Sequence, residues 1–141
     1  MFPTTYLLHA TEEYCCGETF PVWISRLWGV DFTAAAFLWC NGIAMAAMVL
    51  AAWLAGRRTA LRWLVVTLGT VVTVNSAAHA IGSLATWSYS PGLVTGLVLW
   101  LPLGCVVLRR TARELPPRRF VLGIVAGLAV HGVVTAIVLF A

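Results

Sequence analysis

The stretch HATEE, His9 to Glu13, puts an imidazole and two adjacent carboxylates near the start of a chain otherwise poor in acid. On a helix His9 shares a face with both Glu12 and Glu13, at spacings of three and four residues. An imidazole and a carboxylate one turn apart can close on one metal ion, or exchange a proton, with little side-chain strain. The other two histidines, His79 and His131, fall inside long apolar stretches. An ionisable group is costly there unless it faces other helices or water. Asn75 lies four residues before His79, hence on the same face, and Gly82, Ser83 and Thr86 continue that stripe. A second stripe, Gly123, Gly127, His131 and Thr135, recurs every four residues. Asn41 and Thr95 complete the set of candidate polar groups.

These groups need elements to hold them. Of 141 residues 61% are hydrophobic and 10% charged, too few polar groups to cover a water-soluble globule. Four segments are long enough to cross a bilayer: 32–55, 63–87, 92–108 and 120–141. Pro3 suits the first turn of a helix and Gly17 its end, so residues 3–16 read as a short helix of about 20 Å. FPVWISRLW, with two tryptophans and an arginine, reads as interfacial. No cleavable signal sequence is expected. The expected fold is all-α: one integral membrane helical bundle over residues 1–141, with four transmembrane helices plus a short N-terminal re-entrant or spanning helix.

The basic pI of about 9.2 does not indicate nucleic-acid binding. There is no lysine, and eight of nine arginines fall in segments 56–62 and 109–119. Arginine in alternate loops is a topology signal: both loops are expected in the cytoplasm of a bacterium, with the chain in its inner membrane and the C-terminus outside. Anionic lipid headgroups are expected partners of these loops. Glu12, Glu13, Glu18 and Asp31 then lie towards the outer face. Counting inward at about 1.5 Å per residue puts Thr95, Thr135, Asn41, His79, His131 and Asn75 at roughly 5–18 Å depth. A small cavity opening outward, lined by these groups and closed by the N-terminal helix, accounts for them. The cysteines Cys15, Cys16, Cys40 and Cys105 read as small apolar residues.

Three motifs in order, HATEE (His9 to Glu13), NSAAH (Asn75 to His79) and SPGLVT (Ser90 to Thr95), resemble those of the HXXEE family of small bacterial integral membrane proteins. The resemblance covers most of the chain. It implies a multi-span protein whose biochemical role is unassigned and whose polar residues have suggested catalysis.

The leading expectation is a membrane-embedded metal-dependent enzyme acting on a lipid or other lipophilic small molecule. His9, Glu12, Glu13, His79 and His131 are its expected ligands for one divalent ion, zinc or iron, and His9, Glu12, Glu13 and His79 its catalytic groups. Asn75, Asn41, Thr95 and Thr135 are expected to orient ligands or water. Three readings compete. The same residues could run metal-free acid–base chemistry, as in an isomerase or cyclase. His79 and His131 could ligate a b-type haem in an accessory subunit. More simply, HATEE could be a solvated helix end and each histidine a neutral imidazole bonded to a carbonyl. The pairs Gly92/Gly96 and Gly123/Gly127 have GxxxG spacing and suit close helix packing, including a homo-oligomer.

Overall fold

The computed structural model describes residues 1–140, which are 86% helical with no strand among them. Helix α1 spans Phe2–Cys15 and α2 Phe20–Trp28. Then come α3 (Ala34–Arg57), α4 (Trp63–Thr86), α5 (Leu93–Glu114) and α6 (Pro117–Phe140). The last four are long and apolar enough to cross a membrane. Residue 141, the expected end of the fourth span, lies outside the described residues.

Local chemistry sets the boundaries. Gly17 and Gly29, at φ 84° and 66°, adopt the left-handed conformation that ends α1 and α2. Thr33 caps α3, its hydroxyl accepting from the Ala36 amide at 3.1 Å. The third span runs to Glu114 rather than stopping at 108. Arginine is a good helix former, and only Leu115, extended at ψ 145° before Pro116, halts it.

Helix α4 is the central post. In its most apolar window 44% of residues are buried, against 11–17% in the other three. Small residues let the neighbours approach. A methyl added at Gly123 of α6 would sit 2.5 Å from Val66 Cβ, and at Gly127 2.5 Å from Thr70 Cβ. On another side of α4, a methyl at Gly104 of α5 would lie 2.9 Å from the Gly69 carbonyl. Such contacts are how helices associate where the hydrophobic effect is absent. The Gly123/Gly127 pair is therefore occupied within the chain.

Two apolar clusters bracket the site. Trp23, Ile24, Phe32, Phe37 and Val138 gather α2, α3 and the end of α6, with Phe20 packed on them. Met48, Leu68, Val72 and Trp100 form the second. Helix α1 docks on α3 through Tyr6, whose hydroxyl donates to Asn41 Oδ1 at 2.6 Å, and through the Tyr14–Phe37 stack.

Candidate metal centre

Helix α1 turns one face into the bundle. His9, Glu12 and Glu13 are its only buried residues, at 2%, 7% and 8% exposure, so the polar side of this helix points inward. Burying carboxylates costs several kcal/mol each unless they are paired or hydrogen-bonded. The two glutamates meet that cost in different ways.

Glu13 faces two imidazoles. Its Oε1 lies 3.5 Å from His9 Nε2 and 3.3 Å from His79 Nε2. One ligand atom from each of the three residues falls within 4.8 Å of the others. The distal nitrogens are held by hydroxyls: His9 Nδ1 is 2.8 Å from Thr95 Oγ1, and His79 Nδ1 is 3.1 Å from Ser90 Oγ. Asn75 Nδ2 donates to His9 Nε2 at 3.0 Å. That donation gives His9 a lone pair on Nε2 and a proton on Nδ1, which Thr95 accepts. Glu13 Oε1 thus faces His9 Nε2, which carries no hydrogen of its own and whose lone pair accepts from Asn75. Such a pair calls for a cation or a shared proton.

Glu12 turns to the start of α5. Adjacent residues on a helix point about 100° apart, and here Glu12 and Glu13 take different partners. Glu12 Oε1 accepts from the Val94 amide at 2.9 Å and Oε2 from the Thr95 amide at 2.6 Å. Tyr89 also donates its hydroxyl to Oε1. Glu12 is therefore an N-cap supplied by another helix. It satisfies amides with no intrahelical partner and lies at the positive end of the α5 dipole. Burial pushes its carboxyl up, but the hydrogen bonds from Thr95, Tyr89 and Val94 outweigh burial and hold it below the ordinary carboxylate range.

The walls are aromatic and tight. The His9 ring stacks on Trp100 with centroids 3.8 Å apart and meets His79 edge-on at 5.1 Å. Phe20 stands 6.0 Å from His79 on the other side. Trp100 closes a π-helical turn, Gly96–Trp100, within α5. Such turns shift side-chain register by a residue and recur at functional sites. Gly92, at φ 93°, forms the floor: a methyl there would meet His79 Cε1 and His9 Cε1 at 2.9 Å and Glu13 Cγ at 3.0 Å.

A family model described as "Protein of unknown function with HXXEE motif" matches residues 1–107. The chain belongs to the HXXEE family. No curated protein and no solved structure matches it. In this HXXEE protein the motif divides its labour: the histidine and second glutamate enter the three-residue group, while the first glutamate caps α5.

The matched span contains every residue of the group and ends before α6. His131, expected as a ligand, is half-buried on α6 and outside the group. Gly123 and Gly127 dock α6 on Val66 and Thr70 of α4, which on the helical wheel lie about 140–180° from Asn75 and His79. His131 follows one turn beyond Gly127 without joining the group. Thr135 is exposed, and Asn41 tethers Tyr6 rather than orienting a ligand. Cys15 and Cys16 are exposed and free.

Ser90, Tyr89, Gly92 and Trp100 belong to the site but were not selected as site residues from sequence, although Ser90 and Gly92 lie in the SPGLVT motif. Two clefts, of about 480 and 260 Å³, are lined by residues around Val22–Arg26 with Phe32 and by Val106–Arg113, away from the buried His/Glu group.

Proposed function

We propose that this HXXEE protein is a membrane-embedded metal-dependent enzyme acting on a lipid or other lipophilic small molecule, with one divalent ion, zinc or iron, held by His9, Glu13 and His79. The observation that carries the reading is the pair of distances from Glu13 Oε1, 3.5 and 3.3 Å, to the two Nε2 atoms. Four ligands at zinc–nitrogen bond lengths around a tetrahedron stand about 3.3 Å from one another. The donor set, two imidazoles and a carboxylate, is that of several catalytic zinc sites and leaves a fourth position for water or substrate.

A divalent ion so held supplies Lewis acidity towards a carbonyl or phosphoryl oxygen. The chain supplies the rest. Thr95 and Ser90 fix the orientation of the two imidazoles, and Asn75, by donating to His9 Nε2, keeps that nitrogen unprotonated until an ion takes its lone pair. Trp100 and Phe20 exclude water and lower the local dielectric, which strengthens every charge interaction in the group. Loop charge supports a cytoplasmic arginine end in a bacterial cell and, with it, a site towards the outer leaflet.

Metal analysis of protein purified without a histidine tag tests the reading. About one zinc or iron per chain is expected, lost in Glu13→Gln and His79→Ala. Protein that stays metal-free after incubation with both ions overturns it.

A second reading, metal-free acid–base catalysis by Glu13 and His79, has its own support. A hydroxyl can donate or accept, so Ser90 serves either tautomer of His79 and permits a proton at Nε2 to move to Glu13. Activity that survives a strong chelator selects it.

A further inference from the structure

The opposite end of the bundle carries a different chemistry. Arg26 is held by Glu18 and Arg62 by Glu114, at 2.7 and 2.6 Å. Among the described residues no other arginine has a carboxylate within 4.0 Å. Glu114 is also the only acid after Asp31 in the sequence, so the arginines of this end cannot be neutralised from within the chain.

Three of them are organised. Val106, Arg109, Arg110 and Arg113 follow the i, i+3, i+4, i+7 pattern and so share one face of α5, where they line a cleft of about 260 Å³. The face exists because α5 continues past the apolar span, carrying its last turns into the headgroup layer. Pro102, four residues before Val106 and also exposed, prolongs the stripe towards the hydrocarbon. Val106 is 48% exposed. Like charges at i, i+4 destabilise a helix end, and guanidinium groups pair with phosphate through parallel N–H donors.

We propose that this face is a binding site for an anionic phospholipid, its phosphate among Arg109, Arg110 and Arg113 and an acyl chain along Val106 and Pro102. The charge calls for an anion, and the continuous apolar stripe selects one that carries a hydrocarbon chain. The site is independent of the His/Glu group.

The test is native mass spectrometry of the full chain in a neutral detergent, titrated with phosphatidylglycerol, with phosphatidylcholine of the same chains, and with inorganic phosphate. Adducts of phosphatidylglycerol are expected to persist where the other two are lost. Removing two charges in Arg109→Gln/Arg113→Gln is expected to weaken that binding about thirtyfold, while Arg57→Gln/Arg58→Gln, elsewhere at the same end, leaves it within a few fold. Circular dichroism confirms that both double variants keep their helix content. Equal binding of the two lipids, equal binding of inorganic phosphate, or equal losses in the two double variants overturns the proposal, the last by reducing it to a diffuse field.

Discussion

At the residue scale, the two neighbouring glutamates of HATEE do different work, and substitution separates them. Glu13→Gln removes the anionic donor between two imidazoles, so zinc affinity measured by competition with a chromophoric chelator is expected to fall at least a hundredfold. Glu12→Gln is expected to keep one ion per chain. Ser90→Ala and Thr95→Val, which free one imidazole each, belong between these at about 10–100-fold. Gly92→Ala strains a left-handed backbone and drives a methyl into His9, His79 and Glu13. A loss of about 1–3 kcal/mol in unfolding free energy is expected, together with loss of metal. The local pair His9/Glu13 was legible in the sequence because a four-residue spacing is decided within one helix. The diversion of Glu12 was not, because the amides of Val94 and Thr95 reach it only through tertiary structure.

At the element scale, α1 is a short helix held to the bundle by a few polar anchors. Glu12 clasps the start of α5, and Tyr6 holds Asn41 of α3. Because folding lowers the Glu12 pKa, its contribution is complete above the ordinary carboxylate pKa and is lost as pH falls through the lowered value. Hydrogen-exchange protection of the α1 amides, with the intrinsic pH dependence of exchange divided out, is expected to be flat from neutral pH into the mildly acidic range and to fall below it. In Glu12→Gln exchange is faster at neutral pH, and that acid-dependent step disappears; an unchanged acid profile in the variant would remove Glu12 as the clasp. The spans were legible from apolar length, and α1 from Pro3 and Gly17. The π-helical turn that sets Trp100 against His9 was not read from the sequence, although Pro102, which offers the Val98 carbonyl no N–H, stands just beyond it.

At the scale of the whole molecule, α4 separates two functions. One side receives α6 through glycines, and the other presents Asn75 and His79 to α1. Gly127→Leu is expected to cost about 1–3 kcal/mol or more through overpacking, seen as a lowered Tm in detergent. His131→Ala is expected to leave the metal content unchanged; a loss of bound ion there would return α6 to the site. The stripe through Gly123, Gly127 and His131 was visible in the sequence, but not the side of α4 on which it lands. That side depends on how three helices share one post. The seam that α1 closes also has a consequence during synthesis. His9 and Glu13 leave the ribosome first, whereas Ser90, Thr95 and the amides that receive Glu12 arrive some eighty residues later. No nascent chain can complete the pocket until its third long helix is inserted, so the pocket would report that step alone and not the later arrival of α6.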